Sequence, residues 1–378
     1  MPNIGVQREF CSLKYVFRKM VPDFAEQIKR TKLYNKRMKS FSTPLLKWYD
    51  KHKRTLPWRD IGDPYLIWLS EIILQQTRVA QGLEYYLKFA KRFPTPLSLA
   101  RAGEDEVLKL WQGLGYYSRA RNLHAAAKSM NGKFPTTYEG VRALKGVGDY
   151  TAAAICSMAY QMPYAVVDGN VYRVLSRVFG IETPIDSTAG KKEFAALAQK
   201  LLDKNRPGDF NQALMDFGAT RCTPQTPTCK KCPFCKSCVA LKTNRIEELP
   251  VKAQKTKISA RYFHYIYVEQ GNFTWLHKRG AADVWQNLYE LPLVETADSQ
   301  VDFSSVKWLK KVRPVLISRP IKHVLSHRII YADLYKVVLP PTQRVPAEFI
   351  RVSKRQLGNY AVSRLVQKLL EKLTFPKI

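Results

Sequence analysis

The first two thirds of the chain carry a helical pattern of hydrophobic and polar positions. From Ser42 to about Leu241, segments of ten to eighteen residues are separated by Pro and Gly, which predicts successive short helices. Asp63 followed by Pro64 marks a helix start, because an N-cap acid and a proline at the first helical position favour one. The predicted helices are Thr43–His52, Asp63–Val79, Leu83–Arg92, Glu104–Trp111, Ser118–Met130, Thr137–Leu144, Asp149–Tyr160, Gly169–Phe179, Lys191–Leu202 and Gly208–Gly218.

The last third has a different pattern. A polar segment, Glu247–Gln254, reads as a linker, and β-branched and aromatic residues dominate several runs after it. These runs predict strands at Arg261–Glu269, Trp275–Lys278, Val324–Ser326 and Ile329–Val338, and Phe349–Lys372 predicts two short helical stretches. We therefore expect a mainly α domain at 41–245, a linker at 246–260 and an α+β domain at 261–378, preceded by a basic extension at 1–40.

Composition restricts the class of function. The 378 residues include 62 Lys and Arg against 31 Asp and Glu, a formal net charge of +31 that indicates a polyanionic partner such as nucleic acid. No run reaches about 18 consecutive apolar residues, so we expect no transmembrane helix. The N-terminus shows no secretory signal pattern, so we expect a cytoplasmic protein. Because nucleic acid is the expected partner, we expect the protein to work at the nucleoid. We expect it to act as a monomer.

The cysteines are concentrated in one segment. Five of the seven fall within 17 residues, whereas a secreted disulfide framework would distribute them over the fold. Such a cluster indicates a metal or iron–sulfur site in a reducing compartment. Spacing alone leaves zinc and iron–sulfur both open. The five are Cys222, Cys229, Cys232, Cys235 and Cys238.

A glycine-rich turn joins two predicted helices. The turn Gly146-Val147-Gly148 precedes the helix at Asp149, and glycines allow the backbone to approach another molecule closely. The free N–H groups from Val147 to Tyr150 at the start of that helix form an anion site suited to a DNA phosphate, without readout of base sequence. An ordinary helix–turn–helix connection is the alternative.

Two carboxylates stand in contexts that suit acid–base chemistry. Glu71 is the lone acid in a strongly apolar helix, where burial raises a carboxyl pKa and can keep it protonated. Asp168 precedes a helix, where the dipole and free N–H groups favour its ionised form. A protonated and an ionised carboxyl together suit cleavage of a glycosidic bond. A solvent-facing Glu and a plain N-cap are the alternatives, and spacing does not show that the two residues meet.

Several motifs occur in an order that resembles a known family. Together they are similar to the adenine DNA glycosylases among the helix–hairpin–helix glycosylases, and the resemblance covers residue 41 to the C-terminus. The motifs are Leu56-Pro57-Trp58-Arg59, Ser70-Glu71-Ile72-Ile73-Leu74-Gln75-Gln76-Thr77, the run from Trp111 to Ala120, the hairpin from Gly146 to Ala152, and the run from Val167 to Val174.

The resemblance implies catalytic roles. Glu71 corresponds to the general acid that protonates adenine N7, and Asp168 to the carboxylate that stabilises or captures the deoxyribose cation. Tyr150 and Asn170 correspond to residues that orient these groups. Related enzymes that also cut the backbone carry a Lys where this chain has Tyr150, and a phenol cannot form their imine. We therefore expect a monofunctional glycosylase that leaves an abasic site and needs no catalytic divalent metal.

The resemblance also implies contacts to DNA. Trp58 and Arg59 resemble residues at an extruded adenine, and Gln76 and Tyr116 resemble residues that enter the base stack. Extrusion is needed because the enzyme cannot reach the sugar–base bond inside the duplex. The expected substrate is double-stranded DNA with adenine opposite 8-oxoguanine or guanine.

The cysteine spacing matches the same family. Cys222, Cys229, Cys232 and Cys238 have the spacing of its four-iron, four-sulfur cluster, within a loop at 222–238. Cys235 is an addition to the family pattern, and it creates a second possible set with Cys229, Cys232 and Cys238. We expect Cys222 to be the ligand and Cys235 a bystander.

The C-terminal region resembles the family's Nudix-like domain. It lacks the acidic set that binds metal in true Nudix hydrolases, so we expect recognition and no pyrophosphate hydrolysis. Leu325-Ser326-His327 matches the loop that reads 8-oxoguanine, with Leu325 in place of the usual Phe. Leu stacks less well on a base, whereas Ser326 and His327 keep their hydrogen-bonding groups.

Two other hypotheses remain open from sequence. One is a bifunctional glycosylase and lyase acting on oxidised pyrimidines, which Tyr150 and the second domain oppose. The other is a non-catalytic iron–sulfur protein that clamps DNA through the hairpin, which the presence of both Glu71 and Asp168 opposes.

Overall fold

The computed structural model describes residues 34–253, 258–281, 283–309 and 312–373, so most of the predicted basic extension lies outside the described residues. The chain divides into two compact units. The first contains residues up to 62 and 149–253, and the second contains 63–148 and the residues from 254 onward. The domain boundaries expected from sequence stay a prediction.

Helices make up most of the described residues before 245. In chain order they are α1 (Ser42–His52), α2 (Pro64–Ile73), α3 (Val79–Arg92), α4 (Pro96–Arg101), α5 (Glu104–Trp111), α6 (Ser118–Ser129), α7 (Tyr138–Arg142), α8 (Asp149–Tyr160), α9 (Gly169–Phe179), α10 (Thr188–Leu201), α11 (Pro207–Thr220), α12 (Val239–Lys242) and, near the C-terminus, α13 (Arg364–Leu370).

The first unit is organised around one apolar core. Helix α9 contributes a buried face of Val171, Val174, Leu175 and Val178, at the three- and four-residue spacing of an amphipathic helix. Helices α1, α10 and α11 pack their own buried residues into the same core, as does Phe234 of the cysteine loop. The core therefore fixes both α9 and the loop that carries the cysteines.

Helix α2 of the second unit starts where the sequence predicts and ends earlier. The Asp63 carboxylate accepts hydrogen bonds from Tyr65 N at 2.8 Å and Leu66 N at 3.1 Å, so Asp63 is an N-cap. The prediction of one helix from Asp63 to Val79 is wrong, because α2 ends at Ile73. Residue Gln76 has a φ of 55°, which lies in the left-handed region and cannot continue the helix.

The strands of the second unit form two sheets. They are β1 (Ser259–Glu269), β2 (Phe273–Lys278), β3 (Tyr289–Glu290), β4 (Leu293–Thr296), β5 (Val315–Val324), β6 (Arg328–Val338) and β7 (Phe349–Ser353). One sheet has the order β4-β1-β6-β5 and the other the order β3-β2-β7. Strands β1 and β6 are parallel, in register from Ser259 opposite Arg328 to Glu269 opposite Val338. The remaining pairs within the sheets are antiparallel.

Strand β1 is buried on both faces. Phe263, Tyr265 and Tyr267 enter a core that also receives α13, whereas Ile266 and Val268 enter a second cluster on the opposite face. Alternate side chains of a strand point to opposite faces, which explains why six consecutive residues of β1 are buried.

The predicted fold class is confirmed, while several C-terminal elements differ from the prediction. Residues Phe349–Ser353 form a strand that pairs with β2, so the helical prediction there was wrong. The strand predicted at Val324–Ser326 is the end of β5, and Ser326 lies in the turn before β6. This turn is tight, because Leu325 N donates to Arg328 O at 2.8 Å.

Candidate active site

Asp168 is held at the N-terminus of α9 with its carboxylate fully oriented. Its Oδ1 accepts hydrogen bonds from the backbone N–H groups of Asn170 at 2.9 Å and Val171 at 2.8 Å. Its Oδ2 accepts a third from Asn170 Nδ2 at 2.8 Å. Backbone donors and the helix dipole favour negative charge at this position. The arrangement can therefore stabilise a positive charge that develops in front of the carboxylate.

Arg173 connects this carboxylate to the cysteine loop. Its Nη2 donates to Asn170 Oδ1 at 2.8 Å and to Gly218 O at 2.7 Å, and its Nε donates to Cys222 O at 2.7 Å. Gly218 permits this approach, because a Cβ there would lie 2.5 Å from Asn170 Cβ. The amide of Asn170 is thereby fixed by Arg173 on one side and by Asp168 on the other.

Tyr150 lies in the first turn of α8, in the same unit as Asp168. Its hydroxyl lies 3.3 Å from the Met215 sulfur and donates to it. A phenol at this position supplies a hydrogen bond and an aromatic face, and no amine. The position that the sequence identified thus carries a group that cannot form an imine.

Glu71 lies near the end of α2 in the second unit. It is half-buried, and its chain neighbours Ser70 and Ile72 are buried, as is most of the helix. The apolar setting expected for Glu71 is thus present within its own helix.

Gln76 and Tyr116 are displayed by strained turns of the second unit. Both have left-handed backbones, with φ values of 55° and 45°, and both side chains are exposed. Non-glycine residues rarely adopt this conformation, and such strain persists only where neighbouring structure enforces it. Gly113 and Gly115, with φ values of 104° and 74°, complete the turn around Tyr116.

The loop Leu325-Ser326-His327 meets the Tyr116 turn across one cavity. The cavity is about 450 Å³, and Tyr116 Oη lies 2.7 Å from Ser326 Oγ at its edge. Trp285 and His323 line it as well, with ring centroids 5.6 Å apart. The space is lined by aromatic rings, hydroxyl groups, basic side chains and the carboxylate of Asp283, and the flat rings suit a planar heterocycle.

Trp58 and Arg59 lie in the first unit, and both are largely buried. Trp58 is 7% exposed. The Arg59 guanidinium donates to both carboxylate oxygens of Asp216, each at 2.7 Å, and to Arg54 O at 3.0 Å. Arg54 binds the same carboxylate, with Nε at 2.8 Å from Oδ1. Contact of Trp58 and Arg59 with an extruded base stays a prediction.

The Gly146-Val147-Gly148 turn has the tight geometry that its sequence predicts. Gly146 has a φ of 82°, and a Cβ on it would lie 2.8 Å from Asn122 Cβ, so glycine is required there. Arg142 Nη1 donates to Val147 O at 3.0 Å and stiffens the turn. Helix α8 begins at the next residue, Asp149. The expectation of free N–H groups from Val147 onward is wrong for Val147, because its N–H donates to Leu144 O at 3.0 Å within the turn.

Five thiols of the first unit line a single cavity beside Arg177. Arg177 Nη1 lies 3.6 Å from the Cys222 sulfur, and the guanidinium also donates to Thr223 O at 2.7 Å and Pro224 O at 2.8 Å. The cysteines in the cavity wall are Cys222, Cys229, Cys232, Cys235 and Cys238.

The donor set of this cavity fits a metal group bound by thiolates. Burial raises the pKa of Cys232 to about 12, so metal binding must displace its proton. In the part of the chain that the structure describes, no group of three or more His, Cys, Asp and Glu side chains is placed to hold a metal ion as it stands. Thiolates are the ligands of both iron–sulfur clusters and zinc.

Comparisons with known proteins identify the family. Residues 69–204 match the model of the HhH-GPD superfamily base excision DNA repair protein, and residues 264–372 match that of the NUDIX domain. The adenine DNA glycosylase of Schizosaccharomyces pombe is 39% identical in sequence, with 86% of this chain and 87% of that protein covered. The chain belongs to the adenine DNA glycosylase family.

Other relatives cover smaller parts of their sequences. The adenine DNA glycosylase of Mus musculus is 44% identical over 227 residues, which are 56% of this chain and 44% of the mouse protein, so the chain spans less than half of that relative. A solved thermostable thymine-DNA glycosylase has a TM-score of 0.52 and 31% identity, covering 55% of this chain and 98% of that one. Among the described residues, no helix is long and apolar enough to cross a membrane.

The adenine DNA glycosylase assignment confirms the resemblance read from the motifs, and members of this family are hydrolases that act in base-excision repair. The roles of individual residues stay predictions. Sequence reasoning missed three polar residues that hold the predicted site residues. In the first unit they are Arg173, which binds Asn170, and Asp216, which binds Arg59. In the second unit it is Arg119, which binds the backbone at the end of α2. A signal existed for Arg173, because it lies three residues after Asn170 and therefore on the same helix face.

Proposed function

We propose that the chain hydrolyses the N-glycosidic bond of adenine paired with 8-oxoguanine, or with guanine, in duplex DNA. The observation that carries the proposal is the Asp168 carboxylate, which three hydrogen bonds hold at a helix N-terminus. An oriented anion of this kind stabilises an oxocarbenium-like transition state. Family membership supports adenine as the base that is released.

In the proposed reaction Glu71 donates a proton to adenine N7 and Asp168 faces the sugar. The bond between C1′ and N9 breaks, its electron pair leaves with the base, and the positive charge on the sugar develops against the Asp168 carboxylate or is captured by it. Water then adds at C1′ and loses a proton, so adenine and an abasic site are the products. Tyr150 and Asn170 orient these groups, and no divalent metal is needed.

Recognition of the opposite base is proposed for the cavity of the second unit. Ser326 and His327 supply hydrogen-bonding groups that can detect the altered edge of 8-oxoguanine, and Leu325 packs against a base. The hydrogen bond between Tyr116 and Ser326 supports this proposal, because it puts a side chain proposed to enter the base stack beside the proposed reading loop. Trp58 and Arg59 are proposed to contact the extruded adenine.

We further propose the domain organisation and partners expected from sequence. Residues 41–245 form the catalytic domain with its cysteine loop at 222–238, 246–260 the linker, and 261–378 the lesion-recognition domain. The net charge of +31 supports binding to DNA at the nucleoid, and we propose that one chain acts alone.

Single-turnover assays on duplexes with adenine opposite 8-oxoguanine, with and without hot alkali, test this function. Strand breaks only after alkali, and only in the adenine strand, are expected for a monofunctional glycosylase. Breaks without alkali would instead indicate a lyase that uses a lysine amine. A protein that binds the duplex and releases no base would contradict the proposed activity.

Replacing Asn170 by alanine is expected to slow base release about 10- to 100-fold. The variant loses one hydrogen bond to the Asp168 carboxylate, and a bond to a charged group is worth about 1.5–3 kcal/mol. Single-turnover rates measure the effect, and the exposed Asn205→Ala is the matched control. An unchanged rate for Asn170→Ala would show that the two backbone donors suffice.

We propose one four-iron, four-sulfur cluster held by Cys222, Cys229, Cys232 and Cys238. When bound, such a cluster ties the loop together and stabilises the folded unit. The backbone of Cys222 also binds Arg173, so the loop supports the Asp168 network.

Replacing Cys222 by serine is expected to remove the visible absorbance and most of the iron, whereas Cys235→Ser keeps both. The two variants form a matched pair, because both thiols line the same cavity. Iron content and absorbance per chain are the measurements. Loss of iron in Cys235→Ser with retention in Cys222→Ser would assign the alternative ligand set.

A further inference from the structure

Arg119 is a buried cation that binds main-chain carbonyl groups. It lies in the first turn of α6, is 8% exposed, and forms no ion pair with a carboxylate among the described residues. Burial lowers its pKa to about 10, so the guanidinium remains charged near neutral pH. Burying a charge is costly unless hydrogen bonds compensate for it, so this arrangement needs a reason.

The Arg119 guanidinium caps the C-terminus of α2, the helix that carries Glu71. Arg119 Nη1 donates to Ile72 O at 3.0 Å and Ile73 O at 2.9 Å, two carbonyls at the helix C-terminus. The same nitrogen donates to Gln75 O at 2.6 Å. The last carbonyls of a helix have no partner within it, and a cation is favourable at that end. Arg119 therefore fixes the helix just after Glu71.

The other side of Arg119 holds the turn that displays Tyr116. Its Nη2 contacts Gly115 O at 3.3 Å and Leu114 O at 3.5 Å. The guanidinium carbon lies 5.1 Å from the Trp111 ring centroid and 5.6 Å from that of Tyr116. Cations over aromatic faces are attracted to them, so Tyr116 is held by its ring as well as by its backbone.

We propose that Arg119 is a positioning residue that holds Glu71, Gln76 and Tyr116 in one arrangement, so that insertion into the base stack places the acid for base release. The inference rests on the proposed function and goes beyond it, because it connects insertion into the base stack with placement of the acid for base release. Lysine cannot replace arginine here, because a compact ammonium cannot reach separate carbonyls on two turns.

The experiment uses Arg119→Lys in the full, cluster-loaded protein. We expect single-turnover base release to fall about 100-fold, the loss typical of a misplacement of about 1 Å. We expect affinity for the mispaired duplex to stay near that of the wild type. Fluorescence of 2-aminopurine at the target adenine, which reports unstacking, should fall with the rate. Lys128→Met, an exposed cation of the same helix, is the control.

A double-mutant cycle separates positioning from simple stabilisation. If Arg119 acts through Tyr116, then Arg119→Lys combined with Tyr116→Ala is no slower than the worse single variant. A stabilising role alone would lower the folded fraction, measured by circular dichroism, and leave the rate per folded molecule unchanged. An unchanged rate per folded molecule would overturn the inference. Effects of Arg119→Lys and Tyr116→Ala on the rate that add independently would overturn it as well.

Failure of a variant to fold, and absence of adenine release by the wild type, each have a defined consequence for the inference. If Arg119→Lys does not fold, Arg119→Gln keeps two amide donors and is measured instead, and failure of both to fold assigns Arg119 a structural role and overturns the inference. If the wild type releases no adenine, the proposed function fails, while the 2-aminopurine signal still tests Arg119.

Discussion

Replacing Glu71 by glutamine is expected to reduce single-turnover release of adenine by about 10²–10⁴-fold, the contribution of a positioned general acid. Glutamine keeps the shape and the hydrogen-bonding reach of the side chain but has no proton to give to adenine N7. Without that proton the base leaves as an anion, which is a poor leaving group. Affinity for the duplex should persist, because the contacts to DNA phosphates do not involve this carboxyl.

The control for Glu71 is Glu84→Gln in the neighbouring helix α3. Glu84 is exposed and pairs with Lys88 across 2.6 Å, and solvent-exposed pairs of this kind contribute little. Its rate and affinity should match the wild type. Base release that survives in Glu71→Gln would exclude Glu71 as the acid, and loss of duplex binding in that variant would indicate a structural role.

The sequence predicted the parts of the site that depend on local signals. Asp168 before a helix implied an N-cap, and the structure has three hydrogen bonds there. The glycine turn at 146–148 and the five thiols lining one cavity also follow from residues close together in the chain. Each of these features needs only its own neighbours, and therefore each could be read from the sequence.

The features that were missed depend on distant contacts. No Gly or Pro lies between Leu74 and Arg78, so no local signal marks the early end of α2. Arg119 lies 46 residues after Ile73 and caps the helix by donating to the carbonyl of that residue. Phe349–Ser353 is a strand because β2 pairs with it. Strand β5 contains Pro320 and register shifts, which weaken an alternating pattern. Tertiary contacts decided the structure in the first two cases, whereas the proline and the register shifts obscured the pattern of β5.

Asp216 is a buried acid that pairs with two arginines. Its side chain is fully buried in α11, and the Arg54 and Arg59 guanidinium groups bind it. Burial opposes the charge, but hydrogen bonds from both arginines outweigh it and hold the pKa of Asp216 below its usual value. Replacing Asp216 by alanine is expected to destabilise the first unit by about 3–5 kcal/mol, the cost of leaving a buried charge without its partner.

Denaturation midpoints in urea measure this effect, and Asp209→Ala is the matched control. Asp209 lies in the same helix and pairs with Arg206, whose side chain is 41% exposed, so its loss should cost less than about 1 kcal/mol. Adding Arg59→Met to Asp216→Ala should recover part of the stability, because the uncompensated cation is removed as well.

Equal midpoints for the Asp216 and Asp209 variants would show that the buried pair does not stabilise the unit. A combined variant no more stable than Asp216→Ala would attribute the cost to lost packing. Recovery would show that part of the cost is the unpaired charge of Arg59, the residue proposed to meet the extruded base.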